Sequence, residues 1–132
     1  MATAPHHNCP VQATINALAG KWKVQAVWHL SFEKLGFAQL RRKLAGVSDK
    51  VLAEQLRELE ADAIVARTVH PTNPPRVDYS LTPAGRRLVP LLQELCDWGS
   101  EQFGIVGTLH QPGGGGGGGR PVGLVTAPSA AP

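Results

Sequence analysis

Helical and strand periodicities follow one another along this chain in an order that limits its architecture. Val11, Ile15 and Leu18 recur at i, i+4 and i+7, one face of a helix over residues 10–19. Pro10 suits its first position, where the missing N–H would have no partner anyway, and Cys9 falls at the cap. Gly20 interrupts this helix, and a second one over 22–30 is expected to carry Val24, Val27 and Trp28 inward. Gly36 marks a turn before a short helix at 37–44, with Phe37, Leu40 and Leu44 on one side, and Gly46 ends it. Ser48 is a favourable N-cap for the next helix, with Asp49 in the first turn where negative charge suits the helix dipole. At about 100° per residue, Leu56 and Leu59 lie within about 40° of Leu52, a narrow buried stripe on a helix that reaches Asp62. Lys50, Ala53, Glu54 and Arg57 fall on the opposite side, polar apart from one small residue that lets a surface approach closely.

The period then changes. Residues 64–69 are rich in β-branched side chains and read as a strand closed by His70. Pro71-Thr72-Asn73-Pro74-Pro75 excludes regular structure, and beyond it Val77, Tyr79 and Leu81 alternate with Arg76, Asp78 and Ser80 in a second strand. Thr82-Pro83 opens a last helix running to about Phe103, which Pro90 is expected to bend or split. Four helices, a two-stranded hairpin and a closing helix define a mostly helical α+β fold, a winged helix-turn-helix with an N-terminal helix and a C-terminal helix. The last helix is more apolar than a surface helix requires, so it is expected to dimerise.

Composition narrows the reading further. The 132 residues are about one domain's worth. Residues 1–8 are expected to be a flexible N-terminus, 9–107 the folded domain, and 108–132 a disordered Gly/Pro-rich tail. No apolar run approaches the ~20 residues of a membrane span, and no secretory leader is recognisable, so a cytoplasmic protein with no membrane partner is expected. Two cysteines do not make a disulfide framework. The net charge of +3 is mild, but its distribution is not. Residues 21–87 hold twelve Lys or Arg against seven Asp or Glu, whereas 88–107 hold three acids and no base. A basic middle and an acidic end suit different partners.

The residues Cys9-Pro10, Gly20-Lys21-Trp22, Phe37-x-x-Leu40-Arg41-Arg42, Ser48-x-Lys50-x-Leu52, Leu56-x-x-Leu59-Glu60 and Asp97-Trp98-Gly99 form a recognisable set. With the run Pro74-Pro75-Arg76-Val77-x-Tyr79-Ser80-Leu81-Thr82, its most specific piece, the set resembles the HxlR branch of winged-helix transcriptional regulators, relatives of MarR, over about residues 9–99. The resemblance implies a cytosolic, sequence-specific DNA-binding homodimer with its first and last helices at the interface. Several such regulators sense electrophiles or oxidants through a cysteine at the position of Cys9. One departure stands out: the family usually has Gly after the recognition helix, and this chain has Asp62-Ala63-Ile64. Ala is costly in the left-handed conformation that Gly adopts there, which predicts a differently shaped turn.

Two sites follow. In the major groove Lys50 and Arg57 can donate to guanine O6 and N7, and Glu54 can accept from cytosine N4. Ser48 and Asp49 sit at the end nearest DNA, Ala53 permits close approach, and Arg41, Arg42, Lys43 and Arg76 are placed to meet phosphates, Arg76 alternatively entering a narrow minor groove. Each of these residues is also open to a reading as a solvated surface group. The expected target is a pseudo-palindromic operator, and repression is the expected outcome. Cys9 is the second site, because helix N–H groups and the dipole favour a reactive thiolate. His6 and His7 lie just upstream, and Lys21 and Lys23 are further candidates to approach it. The alternative is a Cys9 that only packs, with a small-molecule inducer as the signal. A winged-helix module binding protein instead of DNA is the reading from another class. Cys96, among Leu92, Leu95 and Trp98, reads as core or as a partner for Cys9 of a second subunit.

His6, His7, His29, His70, His110 and the two cysteines show no metal-ligand spacing, so no metal or other cofactor is expected. No nucleophile–base set is recognisable, and the glycines at 113–119 follow no strand and open no helix, so no enzymatic activity is expected.

Overall fold

A computed structural model describes residues 9–105. The expectations for residues 1–8 and 108–132, and for His110, lie outside the described residues. The element order is α1 (Pro10–Leu18), α2 (Lys23–Leu30), β1 (Leu35–Gly36), α3 (Phe37–Lys43), α4 (Asp49–Ala61), β2 (Val65–His70), β3 (Arg76–Leu81) and α5 (Pro83–Phe103). Among the described residues five helices and one small antiparallel sheet make a mostly helical winged helix-turn-helix, as the periodicities predict. The described residues fall into two compact units that divide inside α5, between Arg86 and Arg87.

The core of the first unit is built from Val27, Leu30, Leu40, Leu44, Leu52, Leu56, Leu59 and Val65, all buried. Each such side chain removed from water contributes about 1.5–3 kcal/mol, enough to hold α2, α3 and α4 around one apolar centre. The helix starts and stops follow the local chemistry. Ser48 Oγ accepts from the Val51 amide at 3.1 Å, capping α4. Gln39 Oε1 accepts from the Gly36 amide at 2.8 Å and fixes the start of α3. Gly20 and Gly46, at the two corners that the sequence assigns to glycine, have positive φ.

Several expectations need correction. Leu35–Gly36 is not only a turn: it is a two-residue strand on β3, with Leu35 opposite Tyr79, so the sheet is three-stranded in the order β1-β3-β2. Two residues are too few to carry a readable alternation. Val24 is only half-buried, and Lys23 takes an inward position instead. Of the bend or split expected at Pro90, the split does not occur, since α5 runs unbroken from Pro83 to Phe103. Its solvent-exposed position leaves the carbonyl one turn earlier room to find water.

A further correction concerns the turn after α4. Ala63 adopts the left-handed conformation itself, with φ 61°. Three bonds hold it there. The Ala63 and Ile64 amides donate to the Glu60 and Leu59 carbonyls, both at 2.9 Å, closing the helix end. Thr82 Oγ1 donates to the Ala63 carbonyl at 2.6 Å and accepts from the Gly85 amide at 2.9 Å, so the cap of α5 also fastens the turn. Gly85 is required at this junction, since a Cβ would collide with the Ile64 carbonyl.

Beyond that turn, β2 and β3 pair from Val65 opposite Leu81 to His70 opposite Arg76. Val65, Tyr79, Leu81 and Leu35 face the core. The opposite face breaks the predicted inside–outside alternation, because Asp78 is also buried. His70 Nε2 lies 2.8 Å and an Arg76 Nη 3.5 Å from the same Asp78 Oδ2. Burial pushes the Asp78 carboxyl up, but the His70 hydrogen bond and the charges of Arg76, His70 and Lys34 outweigh it and hold the group below its usual value.

Two tests follow. Ala63→Gly, by relieving the left-handed strain, is expected to raise unfolding stability by about 1 kcal/mol in a denaturant titration; an unchanged midpoint would mean that the turn stores no strain. A carboxyl with a depressed folded value stabilises above its unfolded value and loses that contribution as pH falls through the folded one. Asp78→Asn is therefore expected to be less stable than wild type at pH ~6–7, with the two denaturation curves converging as pH drops below ~4. A difference independent of pH would refute the linkage.

Candidate nucleic-acid interface

The placement of α4 follows from its leucines. With Leu52, Leu56 and Leu59 at 0–1 % exposure, the opposite face must point outward, and Lys50, Glu54 and Arg57 are exposed there. Ala53 is half-buried beside them. Ser48 and Asp49 are exposed at the helix start, Ser48 with its oxygen committed to the cap. Among the described residues Lys50 and Arg57 form no ion pair, so both cations are free to meet an outside acceptor.

Arg41, Arg42 and Lys43 are all exposed at the end of α3. Arg41 is not free: its Nε lies 3.0 Å from Asp49 Oδ1 across the turn between the helices. An exposed pair of this kind contributes under about 1 kcal/mol to stability. Its larger consequence is geometric, since it ties the end of α3 to the start of α4. On the wing, Arg76 is exposed and leans on Asp78, while Arg67 is exposed on β2. Thus α4, α3 and the wing each contribute predicted site residues.

Sequence reasoning missed the groups that hold these elements. Lys23 is buried and its Nζ lies 2.6 Å from Glu58 Oε1, tying α2 to α4. Gln55 Oε1 accepts from the Trp22 amide at 3.1 Å. Asp78, His70 and Lys34 form the charged cluster at the wing. Each joins segments distant in sequence, and no local spacing announces it.

Cys9 is exposed and stands at the N-cap of α1, with Pro10 next and no hydrogen bond from its side chain to the helix. The expected cationic neighbours are otherwise engaged: Lys23 is held by Glu58, and Lys21 Nζ lies 5.0 Å over the Trp22 ring. Val11 and Ile15 are exposed, so the apolar face of α1 is uncovered. In the second unit Leu91, Leu95 and Trp98 are likewise exposed, and Cys96 is half-buried instead of fully interior. Among the described residues no three His, Cys, Asp or Glu side chains cluster as metal ligands, and no helix is long and apolar enough to cross a membrane.

Comparison with known proteins agrees with this geometry. The HxlR-like helix-turn-helix family model matches residues 17–105. The HTH-type transcriptional regulator YtcD of Bacillus subtilis is 39 % identical over 97 residues, which cover 74 % of this chain and 77 % of that protein. The crystal structure of a MarR-family regulator from Porphyromonas gingivalis superposes with a TM-score of 0.67 at 30 % identity, covering 76 % of this chain and 98 % of the other. The oxidized form of the redox regulator HypR does so with a TM-score of 0.65 at 42 % identity, covering 70 % and 95 %. A helix-turn-helix with an outward basic face, matched across most of its length by these proteins, is a transcriptional regulator's fold, and the chain belongs to the HxlR-like helix-turn-helix family.

Proposed function

We propose that this chain is a cytoplasmic homodimeric repressor that binds a pseudo-palindromic operator and is released from it by a signal received at Cys9. The observation that carries the reading is the exposed outer face of α4 with Lys50 and Arg57 unpaired among the described residues, together with the exposed Arg41, Arg42 and Lys43 at the end of α3 and the exposed Arg76 on the wing. Lys50 and Arg57 read base edges, with Glu54 as an acceptor for cytosine and Ala53 allowing close approach. Ser48 and Asp49 order the helix start, and the remaining cations contact phosphates. Dimerisation through the uncovered apolar faces of α1 and α5 gives two α4 helices spaced for successive major grooves, about 34 Å apart.

The exposed thiol at the start of α1 supports the signalling part, as does the likeness to HypR, a redox regulator with solved oxidized and reduced forms. Modification of Cys9 at a helix that belongs to the dimer contact changes the separation of the two reading heads, and so the operator affinity.

Operator selection from a random DNA pool, with reduced and oxidised protein in parallel, tests the whole reading. Affinity that stays flat between ~50 and 200 mM salt would assign the fold to a protein partner instead. Arg57→Ala is expected to cost about 1–3 kcal/mol on the selected site and to relax its sequence, whereas Arg42→Ala is expected to lower the salt slope by about one without altering preference. Diamide or a quinone is expected to weaken operator binding by wild type and to leave Cys9→Ser unaffected; equal responses would remove Cys9 from the signal path.

A further inference from the structure

The polar side of α4 is not uniform. One flank carries Lys50, Glu54 and Arg57 to solvent, while the other carries Gln55 and Glu58 toward the corner between α1 and α2. Gln55 is half-buried there. Its Oε1 accepts from the Trp22 amide, and its amide group lies against Gly20, where a Cβ would stand 3.1 Å from Oε1. Gly20 leaves room for the amide and holds φ at +144°, a conformation that also turns the chain from α1 into α2. One helical turn along, Glu58 meets the buried ammonium of Lys23 at 2.6 Å.

The leucine stripe alone leaves the helix a range of rotation about its own axis, since apolar contacts are non-directional. A hydrogen bond to a main-chain amide has direction, and the chain carrying that amide is fixed by the turn at Gly20. We infer that Gln55 is a positioning residue for sequence reading: without touching DNA, it sets the rotation of α4 through the Trp22 amide and so aims Lys50 and Arg57 at base edges. Glu58 and Lys23 resist the same rotation from the next turn. The inference rests on the reading of α4 as the DNA-facing helix.

The test separates aim from affinity. Gln55→Met keeps the length and apolar stem of the side chain but replaces the amide acceptor, while Gln55→Glu keeps an acceptor oxygen. Affinities for the selected operator and for scrambled DNA are measured for wild type and both variants at fixed salt. Gln55→Met is expected to lower the operator-to-scrambled ratio by about tenfold with an unchanged salt slope on scrambled DNA, and Gln55→Glu to restore most of the ratio. An unchanged ratio in Gln55→Met, or an equal loss in both variants, would overturn the assignment. Hydrogen exchange at the Trp22 amide of the wild-type protein gives a second readout that does not depend on a variant folding. Protection is expected, and exchange at the rate of a free amide overturns the proposal. Wild type that does not discriminate between operator and scrambled DNA removes the functional reading itself, a result distinct from wild-type discrimination that Gln55→Met leaves intact.

Discussion

Burial of Leu52, Leu56 and Leu59 against the centre formed by Val27, Leu30, Leu40 and Leu44 is the constraint on which the other features depend. A three-residue stripe on a thirteen-residue helix determines which side meets the core, and therefore which side cannot. Lys50, Glu54 and Arg57 are exposed because the leucines are not. Removing one leucine would cost about 2–5 kcal/mol by the cavity it leaves, and the same change would loosen the orientation of every charge on the far face. Stability of the fold and presentation of the basic surface are thus two consequences of one contact.

Local signals were legible for this reason. The periods of α1 to α5, the Ser48 and Thr82 caps, the corners at Gly20 and Gly46 and the outward face of α4 all depend on residues within a turn or two of one another. What the sequence concealed is what joins distant segments. Lys23 and Glu58 lie thirty-five positions apart, and a buried lysine contradicts the ordinary expectation for its type until its partner is known. Asp78 reads as an outward strand residue by alternation, yet His70 and Arg76 share its carboxylate and the short strand β1 lies beside it. Gln55 looks like any solvent-facing glutamine in an amphipathic helix.

The charges show a division within the basic surface. Arg41 and Arg76 each have a carboxylate at hand, Asp49 at 3.0 Å and Asp78 at 3.5 Å. Lys50, Arg42 and Arg57 have none among the described residues. A paired arginine has already lost part of its rotational freedom, so it presents a more ordered group at less positive net charge. On the proposed reading this favours orientation over raw attraction at the two edges of the interface, and leaves the strongest unscreened attraction to α4 and the end of α3.

The turn at Ala63 shows why a single residue out of pattern does not by itself redirect a fold. Glycine's absence predicts a different turn if only the residue's own conformational preference counts. The penalty for alanine there is about 1–2 kcal/mol, whereas leaving the amide of the buried Ile64 unpaired would cost a similar amount, and the bond from Thr82 to the Ala63 carbonyl adds to the same side. In the left-handed geometry the Leu59 carbonyl and Thr82 Oγ1 satisfy both groups. Thr82 is at the same time the cap of α5, so a different turn would also disturb that helix. Several bonds outweigh one strained dihedral, and the wing keeps the direction that those bonds impose.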